Sequence, residues 1–332
     1  MKQVSVVILN WNGRKLLEQF LPSVIRHTPD SIADVVVADN GSTDDSVKWT
    51  MQQYPQIKII RLKENLGYAG GYNKALELID TPYAVLLNSD VEVAEGWLSP
   101  LIDFCQDNPE VGACQPKIKS YRNRSFFEYA GASGGFIDKY GYPYCRGRIF
   151  STVEQDNGQY NNTADIFWAS GACLLIRTKL FHEVGGFDSL FFAHMEEIDL
   201  CWRILLTGKR ICVIPQSEVF HLGSATLTEA NPQKTFLNFR NNLLMLYKNL
   251  PKKDGRPLLF KRRLLDTAAF FKFLLTGKIQ NAFAVIRAHN DFRKQKSRYR
   301  QQPATNILNN FKEASRNITV DYFIRKQKYF KS

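Results

Sequence analysis

Three carboxylates, Glu196, Glu197 and Asp199, fall within four positions of the segment HMEEIDLCWR, His194 to Arg203. On a helix or turn the adjacent Glu196 and Glu197 point in different directions, whereas Asp199, three residues past Glu196, shares its face. Charge packed this closely is costly unless a metal, a cationic partner or a general-base role uses it. The plainer alternative is a helix start, since acids favour a first turn and Trp202 and Leu205 would then pack inward. Other segments carry polar chemistry too. VILNWNG and VVADNGSTDDS carry Asn10, Asn12 and Asp39, and an acid such as Asp39 at a strand end can accept hydrogen bonds from a base or ribose. The NGSTDDS that follows is turn and helix-cap chemistry. NLGYAGGYN (65–73) has three glycines that allow a backbone close to a phosphate, but its spacing matches neither a dinucleotide fingerprint nor a P-loop. LLNSDVE (86–92) puts Asp90 and Glu92 at a strand end, where carboxylates can hold a hard divalent cation and through it a diphosphate. His221, in VFHLGSAT (219–226), is by itself a structural histidine and becomes a ligand candidate near an Asp-bound metal.

The elements that must position these residues are legible as alternating patterns. Strands are expected at 4–9, 35–39, 57–62 and 83–88, and helices at 14–27, 46–54 and 70–79. Nearly continuous apolar strands in a βαβα rhythm predict an α/β fold, a buried parallel sheet with helices on both faces. Ligands of such sheets bind at the carboxyl ends of the strands, where the residues above fall. Residues 117–165 read as a long irregular excursion with room for short strands, and a loop of that size is usually functional. Strands resume at 171–176 and 211–215, helices at 178–184 and 233–249. Between Pro257 and Phe292 lies an apolar, aromatic stretch studded with Lys and Arg. It reads either as an interfacial amphipathic helix pair or as a helical hairpin packed on the body.

Six cysteines are scattered without CxxC spacing, which suggests reduced core thiols rather than zinc or redox chemistry. The start lacks the pattern of a signal peptide, and no run reaches about 18 apolar residues, so a cytoplasmic location is expected. The net charge of +12 is uneven: residues 231–332 hold 23 Lys and Arg against 5 Asp and Glu. A mildly acidic body with a basic tail suggests docking on anionic lipid head groups and not a nucleic-acid partner.

In this order the segments resemble glycosyltransferase family 2, inverting enzymes of the GT-A fold, over about residues 3–230, and most closely its bacterial rhamnosyltransferase-like branch. The resemblance implies a nucleotide-binding sheet flanked by helices, with residues 1–115 as the nucleotide-sugar half, 116–230 as the acceptor-binding and catalytic half, and 231–332 as a basic helical region. It implies Asn10, Asn12 and Asp39 at the base and ribose, and Asn65, Gly67, Gly71 and Asn73 flanking the nucleotide. The family's DxD motif maps onto Asn88-Ser89-Asp90, so Asp90 would bind Mg2+ or Mn2+ with His221, while Asn88 departs from the first Asp and can reach a ribose hydroxyl. The acid pair maps onto Glu196-Glu197, with Glu197 as general base and Asp199 a competing candidate. WASGACLLIR maps onto the acceptor side, with Trp168 as a sugar platform beside Gly171, and Arg203 closes the acid motif. The implied function is transfer of a sugar, with dTDP-rhamnose the favoured donor, to a glycan or lipid-linked glycan at the inner face of the membrane. An inactive nucleotide-sugar or membrane-binding scaffold of the same fold is the alternative.

Overall fold

The computed structural model describes residues 2–223, 231–299 and 302–331. The N-terminal third follows the βαβ rhythm: β1 (Val4–Asn10), α1 (Arg14–His27), β2 (Ala33–Asp39), α2 (Ser46–Gln53), β3 (Lys58–Arg61), α3 (Gly67–Leu76) and β4 (Tyr83–Asn88). These four strands are parallel, in the order β3-β2-β1-β4. Alternation along each strand splits the core into two layers. Val6, Ile8, Val85 and Leu87 face Leu17, Leu21 and Val24 of α1, while Val7, Val36 and Leu86 face Tyr72 and Leu76 of α3.

The sheet then leaves the parallel plan. After β5 (Val91–Val93) and α4 (Ser99–Asp107), β6 (Val111–Ser120) crosses residue 115, so one sheet runs through both of the stretches expected as halves. Residues 121–165 are more ordered than their composition suggested. β7 (Gly135–Ile137), β8 (Pro143–Cys145), β9 (Arg148–Ile149) and β10 (Thr152–Val153) form a small antiparallel sheet, and β11 (Ala164–Asp165) returns to the main one. β12 (Cys173–Arg177) enters antiparallel between β4 and β6, because no helical crossover constrains its direction. After α5 (Thr178–Glu183) and α6 (Glu196–Leu206), the long β13 (Arg210–His221) pairs parallel with β6 and antiparallel with β5 and β11. The result is a mostly parallel mixed sheet with flanking helices.

α7 (Pro232–Asn249), α8 (Lys252–Leu275) and α9 (Ile279–Gln295) follow, α7 packing on α6 and α9 on α7. The last residues cover the small sheet: Phe330 stacks on Phe136 at 5.5 Å and Tyr144 donates to the Glu313 carbonyl. All six cysteines are buried and unbridged, as expected. Among the described residues no helix is long and apolar enough to cross a membrane.

Candidate active site

Register makes the carboxyl edge of the sheet flush: Asn10 lies level with Asp39, and Leu9 with Asn88. The polar residues at this edge bind one another. The buried Asn10 amide donates to Asp39 (3.3 Å), Ser42 (3.2 Å) and Ser46 (3.0 Å), and its carbonyl oxygen has no partner among the described residues. Asn12, at a positive φ of 49°, accepts from the Thr43 (2.7 Å) and Asp44 (3.3 Å) amides, locking the β1 turn to the β2 turn. Asn40 ties β2 to the glycine segment through Asn65 (3.1 Å) and the Gly67 carbonyl (3.0 Å). A Cβ at Gly67 would strike the Phe192 ring at 2.5 Å, and one at Gly71 the Leu9 side chain at 2.8 Å.

A second constellation arises from pairing at the far side. β13 lays His221 opposite Val91 of β5, one residue past Asp90. His221 Nε2 thereby lies 3.1 Å from Asp90 Oδ1 and 3.4 Å from the Asn88 amide, and Nδ1 lies 3.1 Å from Glu128 Oε2. Burial alone would lower the imidazole pKa, but the charges of Asp90 and Glu128 push it up to about 10. Burial opposes ionisation of Asp90 in turn, and His221 reverses this, holding its carboxyl below the ordinary value. A carboxylate oxygen and an imidazole nitrogen at this separation fit a divalent cation such as Mg2+ or Mn2+. Among the described residues no three His, Cys, Asp or Glu side chains form a complete ligand set. Asp90 and His221 are thus the two side chains here that could hold such a cation.

The acid segment sits across the 168–172 strand entry. Asn88 N donates to the Ala172 carbonyl (3.0 Å), Tyr68 Oη to that of Gly171 (2.7 Å), and Ala169 N to the Cys201 sulfur (3.4 Å), one turn after Glu197. Tyr68 feels the charges of both Glu196 and Glu197, which with burial raise its pKa. The backbone leading into α6 is strained: Phe192, His194 and Met195 have φ of 63°, 70° and 71°. Glu196 is 4% exposed, while Glu197 keeps partial access to solvent. Neither Oε2 has a partner among the described residues. Burial pushes Glu197 up to about 7, and burial plus the neighbouring Glu197 raises Glu196 further. A carboxyl that titrates near neutrality without a cation beside it can take up a proton from a substrate hydroxyl.

Residues 5–185, more than half of the chain, match the family model described as glycosyl transferase family 2. The chain is a member of glycosyl transferase family 2. Its relatives include the N-acetylglucosaminyl-diphospho-decaprenol L-rhamnosyltransferase of Mycobacterium tuberculosis, 28% identical over 232 residues, 65% of this chain and 75% of that protein. Among solved structures, S. aureus TarS 1–349 in complex with UDP-GlcNAc matches at TM-score 0.58 and 18% identity over 88% of this chain and 80% of its own. The mannosyltransferase PcManGT of Pyrobaculum calidifontis, in complex with GDP-Man and Mn2+, matches at TM-score 0.53 and 15% identity over 89% and 83%. These neighbours share the GT-A-type fold.

Several expected site residues of this family 2 glycosyltransferase are engaged elsewhere. Trp168 offers no platform: it is 3% exposed, its indole donates to the Phe136 carbonyl (2.9 Å), and it fills the space a Cβ at Gly135 would need. Asp199 is no competing base, since it is fully buried, pairs with Arg203 and Lys248 at 2.9 Å and accepts from Asn249 (2.7 Å). Those cations overcome the effect of burial and lower its pKa. Arg203 is spent on Asp199 and the Val184 carbonyl rather than on an acceptor. Asn73 uses both amide atoms on the Phe187 backbone, at 2.8 Å each, and so ties α3 to the segment that leads into α6. Asn65 likewise caps Gly67 N (2.9 Å). In VFHLGSAT, Ser224, Ala225 and Thr226 lie outside the described residues.

The residues that hold the strained segment lie outside the expected set. Asn241 of α7 donates to the carbonyls of Phe191 (2.9 Å), Ala193 (3.0 Å) and His194 (2.7 Å), and Arg240 to that of Leu190 (2.7 Å). The available signal was the pair Asn241-Asn242 in mid-helix, where asparagine is a poor helix former and needs another reason to be present. Glu128, in the irregular stretch, gave no signal.

Proposed function

We propose that this glycosyltransferase moves a sugar from a nucleoside-diphosphate donor to a hydroxyl of a glycan or lipid-linked glycan, with inversion and with Glu197 as general base. The observation that carries it is the Glu197 carboxyl: its Oε2 lacks a partner among the described residues, it is raised to about 7, and it lies one turn before Cys201, which meets Ala169 at the strand entry that pairs with Asn88. Glu197 accepts the acceptor's proton as the hydroxyl attacks the anomeric carbon from the face opposite the diphosphate, and that single displacement inverts the centre. Burial and the neighbouring Glu197 also raise Glu196, which disfavours a second negative charge in the site. Asn10, Asn12 and Asp39 line the base and ribose end, and residues 116–230 supply the acceptor side. Asp90 and His221 would hold Mg2+ or Mn2+, which when bound neutralises charge on the leaving diphosphate. Reaching that state requires His221 to give up its Nε2 proton. The mycobacterial relative, an N-acetylglucosaminyl-diphospho-decaprenol L-rhamnosyltransferase, supports a rhamnosyl donor and a lipid-linked glycan acceptor.

The test compares wild type with Glu197→Gln. Transfer falls by about 10²–10⁴-fold while nucleoside-diphosphate affinity, read by calorimetry with and without Mn2+, stays within about twofold. Undiminished transfer in the variant would remove Glu197 as base. Absence of donor hydrolysis and of transfer in the wild type, with every nucleotide sugar tried, would favour the inactive scaffold.

A further inference from the structure

Helix α8 is built inside out. Its buried residues are Gly255, Arg262 and Asp266, and its exposed ones include Phe260 (65%), Leu264 (59%), Phe271 (56%) and Leu275 (88%). Spacings of four, seven and four keep these four side chains within one narrow stripe of the helix surface. A surface helix ordinarily turns such a stripe inward. Here the inward face carries a buried polar network, beside Leu258 and Leu259, which pack partly buried against the core. Arg262 donates to the Tyr140 carbonyl (2.9 Å) and Asn242 (2.6 Å), and Asp266 takes Arg262 (3.3 Å) and His289 (3.0 Å). The apolar stripe is therefore not a core face left over from poor packing, since the helix docks well through its other side.

The stripe continues around the turn. On α9, Ala282, Val285 and Ala288 are buried, whereas Ile279 (56%), Phe283 (55%) and Ile286 (43%) are exposed. Lys272 sits 5.3 Å over the Phe323 ring, which brings the exposed Phe323 and Ile324 alongside. An apolar surface of this extent has a partner. The charges say which kind. Between Asp266 and Asp291 the hairpin carries Lys272, Lys278 and Arg287 and not one carboxylate. A second copy of the chain would set these cations against their own like, with no acid between Asp266 and Asp291 to pair them. Anionic phospholipid accepts both parts of the surface, apolar side chains at the acyl boundary and cations at the phosphates.

We infer that the α8–α9 hairpin is a membrane-docking element that seats Phe271, Leu275, Ile279 and Phe283 in an anionic bilayer surface, with Lys272 and Lys278 at the head groups. This settles the two readings of the tail into one: the hairpin packs on the body through its polar face and docks through its apolar one. It adds a partner to the proposed transferase without resting on the transfer chemistry, so failure of either leaves the other standing.

The experiment is co-sedimentation of the full chain with phosphatidylcholine vesicles, with and without phosphatidylglycerol, at low and high salt. Binding to the phosphatidylglycerol vesicles at low salt is expected. It weakens by roughly tenfold or more in Leu275→Ser/Ile279→Ser/Phe283→Ser and in Lys272→Glu/Lys278→Glu, while circular dichroism is unchanged. Leu275→Asp, at the most exposed position, gives a single-site check should the triple variant fold poorly. Three results overturn the inference: wild type that stays in the supernatant at low salt; apolar variants that bind as wild type does; or light scattering that finds a wild-type dimer which the apolar variants dissociate without altering sedimentation, in which case a second copy covers the face.

Discussion

The β1–β2 edge and the start of α6 line the same candidate site and are built by opposite means. At the edge, Asn10, Asn12, Asp39, Asn40 and Ser42 bond one another across three loops, so the backbone is fixed before any ligand arrives. At the start of α6, Oε2 of both Glu196 and Glu197 lacks a partner among the described residues, and the backbone leading in is strained at Phe192, His194 and Met195. A region that binds gains from such bonds, because they hold its shape while leaving a group such as the Asn10 side-chain oxygen unpartnered among the described residues. A region that moves a proton gains from the reverse, because a paired carboxylate is too weak a base. The contrast recurs within α6 itself. Glu197 and Asp199 are two residues apart and so on different sides of the helix. Glu197, without a cation, rises to about 7, whereas Asp199, held by Arg203 and Lys248, is lowered.

The sharpest break of that contrast is Asp199→Asn. It strands Arg203 and Lys248 around a fully buried neutral group and should destabilise the fold by about 3–5 kcal/mol, read as a lower denaturation midpoint. Because the folded carboxyl is lowered, its contribution is present at neutral pH and is lost as pH falls below the ordinary carboxylate value of 3.8. The wild-type and variant midpoints therefore converge in acid. If the variant is as stable as wild type at pH 7, the ion pairs are not what holds α6 to α7.

Next in size is Asn241→Ala. Its amide bonds three carbonyls of the strained segment, and their loss should cost about 2–3 kcal/mol. A brace that also sets Glu197 does more than stabilise. Relaxation of the segment opens the carboxyl to water, so the variant's activity should fall in kcat more than in KM, with its pH profile displaced toward lower pH. A loss of stability with an unmoved profile would make Asn241 a structural residue alone.

These two residues also mark what could be read from the chain. β1 to β4 were legible because strand and helix periods are local, and the end of β4 followed from the same run. Asp90 and His221 were legible as candidates, but their 3.1 Å approach depends on β13 pairing with β5, a contact across 130 residues that no local pattern encodes. Trp168 is a sugar platform only by the family resemblance, since a tryptophan beside small residues has no period to reveal which way it points. It is Gly135, from a distant strand, that takes the ring into the core. α7 read as the beginning of a docking tail on charge alone, whereas Asn241, Lys248 and Asn249 make it part of the site's frame.

The smallest expected effect tests the other side of the contrast. A carboxyl whose pKa folding raises holds its proton in the folded state while the unfolded chain has already released it. Between about 4.5 and about 7 the folded state therefore binds more protons, and stability falls as pH rises through that window. Above pH 7 the folded protein carries Glu197 as an enclosed anion. Gln at this position keeps the shape and removes the charge, so Glu197→Gln should be more stable than wild type at pH 8. The gain is on the order of 1–2 kcal/mol once solvent reaching the carboxyl is allowed for, and it should vanish near pH 5, where wild type is protonated. A substitution that abolishes transfer and stabilises the protein only at high pH is what a partner-free base predicts. Equal midpoints for the two proteins at pH 8 would mean that an unseen donor satisfies the carboxylate, and the difference between the two regions would then be one of backbone strain alone.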